Sequence, residues 1–207
     1  MKTKDKIIQA SLKLFNQQGE RVVTTNHIAE HLNISPGLLY YHFKNKESII
    51  QAIFLEYTLH IKNAITVPND TSDPSEFLAT YCDDIFEGIW HYRFLHLSMP
   101  TLLIQHNELH NHYLEAHQLL IARASSAVQW LRDFELIEIE ENQIATLVDL
   151  MRLVTGFWVG FSIANHLGTE LTKKQVHAGR EHLIALLAPY ATPSGKVIFN
   201  NLSTTVP

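Results

Sequence analysis

The chain has 207 residues, 46% of them hydrophobic and 18% charged, a balance that excludes intrinsic disorder and suits a globular protein with a sizeable core. A single cysteine, Cys82, excludes an intramolecular disulfide and fits a reducing compartment. The net charge of −5 is unevenly divided: residues 1–47 carry seven Lys and Arg against four acids, and the remainder nine against seventeen. A basic end joined to an acidic module points to a polyanion partner for the first. The opening MKTKDKIIQASLKLF is interrupted by Asp5, Lys6 and Lys13 and does not read as a leader. The most apolar run, Leu153 to Ala164, is 12 residues and contains two Gly, short of the roughly 20 that span a bilayer. The expectation is a soluble, cytoplasmic protein with no membrane partner.

Helical periodicity dominates, and no strand alternation precedes the tail. Ile8, Leu12 and Phe15 recur at helical spacing, with Gly19 placed to end the helix. Thr24 or Thr25 can cap a second helix with Ile28, Ala29 and Leu32 inward. Asn33 suits the tight turn that follows, and Ser35 can cap a third helix opened by Pro36. A fourth runs from Lys46 to Ile65 with Ile49, Ile53, Tyr57 and Ile61 four apart. TVPNDTSDP, residues 66–74, reads as a linker, and Asp73-Pro74-Ser75-Glu76 opens a fifth helix. Pro100 marks a break or kink within a helical region from Trp90 to Leu131. Helices over 143–166 and 173–190 follow, and the tail after Pro189 is expected to be loosely ordered. The sum is an all-α protein of about nine helices, divided into a head over 1–47, a larger helical body over 48–190 and a tail over 191–207.

Residues 25–44 have the logic of a helix-turn-helix. Small Ala29 lets two helices approach, and Leu39 and Phe43 pack inward from the second. Helical geometry then turns Gly37, Leu38 and Tyr41 outward, flanked by Pro36, Tyr40 and His42. Gly37 allows close backbone approach to a groove. Tyr40, Tyr41 and His42 offer donors to phosphates, joined by Lys46 and the N–H groups opening the fourth helix. The same spacing also serves a tight helical hairpin with half-buried tyrosines.

The segment TTNHIAEHLNISPGLLYYHFKNKESII closely resembles the N-terminal domain of TetR-family transcriptional regulators. The resemblance rests on Thr25, Ile28, Ala29, Glu30, Ser35, Gly37, Leu39, Tyr40, His42, Phe43, Lys46 and Glu47, and covers about residues 5–55. It implies an Ω-shaped homodimer with two DNA-binding heads, a ligand cavity in each body and a four-helix dimer contact. It also implies DNA contacts from Thr25, Ser35, Pro36, Gly37, Leu38, Tyr40, Tyr41, His42 and Lys46. One departure matters: the family often carries polar or basic residues where this chain has Pro36 and Leu38. Neither can donate to guanine or accept from adenine, although Leu38 can touch a thymine methyl. Sparse direct readout is expected, with more dependence on phosphates, Thr25 and groove shape.

Gly156, Gly160 and Ala164 lie four apart and form a smooth strip for another helix, within the chain or across a dimer. With the resemblance, residues 143–166 and 173–190 become the expected dimer bundle, the later helix supplying Val176, Leu183 and Leu187 and also His177 and Arg180. Pocket candidates are Phe77, Tyr81, Ile85, Trp90, Phe94, Met99, Leu102, Leu103, Trp130, Phe157, Trp158 and Phe161, all of which also read as core at helical spacing. A cavity so lined favours a hydrophobic small-molecule effector of unknown identity. In QHNELHNHYLEAH, His106, His110 and His117 fall roughly on one helix face, which suits either a solvated surface or a metal ion. No constrained metal spacing and no nucleophile–base arrangement stands out, so neither a cofactor, a bound metal nor a catalytic residue is expected. The reading is a DNA-binding one-component repressor released from its operator by a hydrophobic effector. The alternative is a dimeric ligand- or metal-binding helical protein with weak or no DNA binding.

Overall fold

A computed structural model of the chain describes residues 2–64, 66–67 and 73–204. Most of the expected linker, residues 68–72, lies outside these, as does Ile65. The described residues form eleven α-helices: α1 (Thr3–Gln18), α2 (Thr25–His31), α3 (Pro36–His42), α4 (Lys46–Ala64), α5 (Pro74–His91), α6 (Arg93–Gln105), α7 (Asn107–Asp133), α8 (Glu141–Asn165), α9 (Lys173–His177), α10 (Gly179–Leu187) and α11 (Pro193–Thr204). A single 3-10 turn covers Ala188–Tyr190, and the only bridge pairing among them joins Ile137 to Ala191. The chain is all-α.

The chain divides into two compact units, one of residues 1–59 and 92–114, the other of residues 60–91 and 115–207. The first therefore takes in most of α4, α6 and the start of α7 and extends beyond the head expected over 1–47. Packing explains this. The inward stripe of α1 ends at Phe15, whose ring lies 5.1 Å from that of Phe94 in α6. Asn16 Oδ1 also accepts the Phe94 N–H at 3.1 Å. Ile8, Leu12, Phe15, Ile28, Ala29, Leu39, Phe43, Ile49 and Ile53 are all buried, as their spacing predicts. Gly19 ends α1 with φ +84°, a conformation that an L side chain adopts only with strain.

Three elements differ from expectation. Pro100 interrupts nothing: it lies inside α6, and the non-helical backbone falls at Tyr92 and His106 on either side. The expected helix over 173–190 is broken at Ala178 into α9 and α10, followed by the 3-10 turn. Gly179 beside the break is wedged in place, since an added Cβ would lie 2.5 Å from the Phe86 ring and 2.8 Å from the Trp158 indole. The third difference is the tail, which forms α11 with Phe199 and Leu202 buried among α5, α8 and α10 residues of the second unit's core. Its anchor is Thr192, whose N–H and hydroxyl both reach the Leu136 carbonyl (3.1 and 3.2 Å) while its Oγ1 accepts the Gly195 N–H.

Candidate nucleic-acid interface

Local hydrogen bonds build the α2–α3 unit. Thr24, not Thr25, caps α2: its Oγ1 accepts the His27 N–H at 3.3 Å, and His27 Nδ1 accepts the Thr24 N–H in return. Thr25 is thereby available to pair its hydroxyl with that of Tyr40 at 3.0 Å, joining α2 to α3. Asn33 makes the turn with φ +53°, where asparagine is tolerated. Ser35 Oγ accepts the Leu38 N–H at 3.2 Å, and Pro36 opens α3 where a missing N–H leaves nothing unsatisfied.

Leu39 and Phe43 are buried, so the helix turns Pro36, Gly37, Leu38, Tyr40 and Tyr41 to solvent. Leu38 is 40% and Tyr41 83% exposed, values that the unit's own packing does not require. His42 is half-buried, with its ring edge-on to Tyr41 at 5.1 Å. Asn45 caps α4, its Oδ1 accepting the Ser48 N–H at 2.9 Å.

Lys46 corrects an expectation. Its Nζ donates to the Glu20 carbonyl at 2.7 Å and sits 3.5 Å from the Glu20 carboxylate, so the amine is held inside the unit and not presented to a phosphate. Glu20 is buried, and nothing around Gly19-Glu20-Arg21 in the sequence signals that it clamps a lysine 26 residues on. Exposed bases beside this site are Lys44 and Arg21, neither of which sequence reasoning singled out. Lys46→Met should leave the buried Glu20 carboxylate with only the exposed Arg21, 3.9 Å away, and lower stability by about 1–3 kcal/mol. In urea unfolding of the intact chain, adding Glu20→Gln should recover most of that loss. A double variant no more stable than the single would count against the clamp.

Of the twelve pocket candidates, Phe94, Met99, Leu102 and Leu103 belong to the first unit and the other eight to the second. Phe77 lies 4.4 Å from Trp130, which stacks on Phe134 at 4.2 Å; Ile85 and Trp90 pack on the same core. Trp158 is buried and donates its indole N–H to the Gln175 carbonyl at 3.1 Å. A cavity of about 20 Å³ does lie in the second unit, lined by Leu78, Tyr81, Cys82, Ala127, Leu131, Met151, Leu183, Ile184, Leu187, Phe199 and Leu202. Of the candidates only Tyr81 lines it. Burial pushes the Cys82 thiol up to about 12 and raises Tyr81 as well, so both face the cavity neutral.

The expected dimer residues also divide. Val176, Leu183 and Leu187 are buried in the chain's own core, because α9 packs on α5 and α8 and α10 lays its apolar stripe on α8 and α5. Arg180 is buried too, donating to Asp83 at 3.0 Å, and His177 lies 3.4 Å from Glu87, which also pairs with Lys173. Gly156 and Gly160, by contrast, have nothing within 4 Å of an added Cβ, and Ala164 is exposed. Beside them Leu153, Phe157 and Phe161 are 55%, 62% and 55% exposed. Among the described residues α8 alone is long and apolar enough to cross a membrane, yet only a third of its most apolar stretch is buried within the chain. His106, His110 and His117 are not gathered: no group of three or more metal-ligating side chains occurs among the described residues, and His117 meets Arg152 through its Nε2.

Two family models match the chain. One, described as bacterial regulatory proteins of the tetR family, covers residues 7–53 and so takes in α2 and α3. The other, described as a bacterial transcriptional repressor, covers residues 56–199. Among relatives, a class C tetracycline repressor protein of Escherichia coli is 35% identical over 36% of this chain and 34% of its own length. The transcriptional regulator UidR of E. coli K12 is 39% identical over 26% of this chain and 28% of its own. The chain thus matches about a third of the length of these curated relatives. A solved transcriptional regulator from Marinobacter aquaeolei VT8 superposes with a TM-score of 0.91 at 35% identity, each chain covered in full.

Proposed function

Because the chain belongs to the TetR family of bacterial regulatory proteins, we propose that it is a one-component transcriptional repressor. It acts as a homodimer, laying α3 of each protomer into the major groove of operator DNA. The observation that carries this reading is the outward face of α3: a fully capped helix-turn-helix that leaves Pro36, Gly37, Leu38, Tyr40 and Tyr41 uncovered by the chain itself. Thr25, Ser35, Tyr40, Tyr41 and His42 supply phosphate and edge contacts, and exposed Lys44 takes the electrostatic role first given to Lys46. The face of α8 carrying Gly156, Phe157, Gly160, Phe161 and Ala164 meets its own copy, a self-complementary contact matched to a palindromic site. Release follows from a small, mostly hydrophobic effector in the second unit, in keeping with the apolar lining of its cavity. That cavity holds about one water-sized group, so an effector enters by displacing side chains and α11. To empty an occupied operator it must prefer the released state by roughly 10⁴-fold.

Fluorescence anisotropy against fragments of the gene's own upstream region, at two salt concentrations, tests the DNA-binding reading. Affinity is expected on the order of 10⁻⁸–10⁻¹¹ M and should fall steeply with salt, by about 0.9 log units per neutralised phosphate for each log unit. Tyr41→Ala, at a position 83% exposed, should weaken binding at least roughly ten-fold without loss of helicity. Salt-insensitive binding, or an unaffected variant, would move the reading to a helical ligand-binder.

A further inference from the structure

We propose that this chain reads thymine through its 5-methyl group, by apolar contact with Leu38, and would favour 5-methylcytosine over cytosine at the same position. The inference rests on the DNA-binding role above and names the feature of the duplex that is recognised. From Ser35 to Tyr41 no side chain carries an amide, a guanidinium or a carboxylate. Of the hydroxyls on this stretch, Ser35 Oγ already accepts the Leu38 N–H and the Tyr40 hydroxyl is paired with Thr25. The Tyr41 hydroxyl, on a side chain 83% exposed, stays available to a phosphate, which leaves Pro36 and Leu38 as the outward side chains of this stretch that carry no polar atom. Leu38 and Tyr41, three apart, share one face of α3, while Leu39 between them is buried. Gly37 is not demanded by internal packing either, since an added Cβ would meet only Ser35 Oγ, at 3.9 Å. Its bareness leaves room beside Leu38 for a body from outside the chain.

The chemistry of the major groove then decides what fits. Guanine presents two acceptors, adenine an acceptor and a donor, cytosine a donor, and thymine an acceptor with the only methyl. Leucine and proline side chains answer none of the polar patterns. They complement only the methyl, and a polar edge left facing them would lose its water without gaining a partner.

The test uses the intact wild-type chain to enrich duplexes from a random-sequence pool, then resynthesises the winners with single thymine-to-uracil changes. One thymine per half-site should be sensitive: losing its methyl should weaken binding about four-fold, and about fifteen-fold when both half-sites are changed, as expected for one methyl-sized group buried per contact. Cytosine-to-5-methylcytosine exchange at that position should strengthen binding by a similar factor. Leu38→Ala, at an exposed position, should bind thymine and uracil duplexes alike within about two-fold, which closes a double-mutant cycle across the interface. Replacing neighbouring purines by their 7-deaza forms should matter little.

Indifference of the wild type to every thymine-to-uracil change would overturn the proposal, as would full discrimination kept by Leu38→Ala. A more than ten-fold loss on removing a purine N7 would assign the readout to hydrogen bonds instead. Failure to enrich any duplex is a different result, which overturns the DNA-binding role itself and this inference with it.

Discussion

Phe157→Glu is expected to leave the chain monomeric at micromolar concentration and to weaken operator binding by at least about a hundred-fold. Phe157 is 62% exposed and lies beside Gly156 and Gly160, whose Cα atoms have open space in front of them. In a two-fold contact each substitution counts twice. Burying one phenylalanine side chain is worth roughly 1.5–3 kcal/mol, so two lost copies weaken the dimer by about 3–6 kcal/mol before the burial of any charge is considered. That corresponds to a dissociation constant raised by roughly 10²–10⁴. Because the residue is mostly exposed, helicity should be unchanged, which separates a broken contact from a broken fold. Sedimentation analysis reads the mass directly. A variant that remains dimeric would remove α8 from the proposed interface.

The second large effect concerns stability. A Cβ added at Gly195 would lie 1.9 Å from the Leu136 carbonyl oxygen, a backbone atom that the Thr192 N–H and hydroxyl also hold in place. Gly195→Ala therefore cannot be absorbed by turning a flexible side chain: the start of α11 must lift. Lifting it uncovers Phe199 and Leu202, two of the side chains lining the small cavity. A loss of about 3–5 kcal/mol is expected, on the scale of steric and cavity defects in a core. For a chain of this size the fall in Tm should be about 6–20 °C. A Tm within about 2 °C of wild type would show that α11 docks in some other way.

Much of the head could be read directly, because its determinants are local. Asn33, Ser35 and Pro36 specify turn, cap and first turn within four consecutive residues, and the inward spacing of Leu39 and Phe43 follows from helical geometry alone. Lys46 was misread for the opposite reason: its partner Glu20 is 26 residues away and follows a helix stop, so no period connects them. The body was legible as helices but not as faces. Leu183, Leu187 and Phe157 are all apolar residues on helices, and the sequence carries no mark of which of them meets the chain's own core.

What the sequence determined by itself was therefore whatever is encoded within about one helical turn: the all-α class, the Ser35 cap, and the inward and outward sides of α2 and α3. The same is true of the family resemblance carried by residues 5–55. Tertiary structure alone decided that Lys46 turns inward, that the tail becomes α11, that Val176, Leu183 and Leu187 are core, and that Phe157 and Phe161 are surface. The physical reason is common to all four. Burial of an apolar side chain is non-directional and depends on which other elements arrive beside it. Where two helix faces are similarly apolar, only the packed chain selects which one is covered.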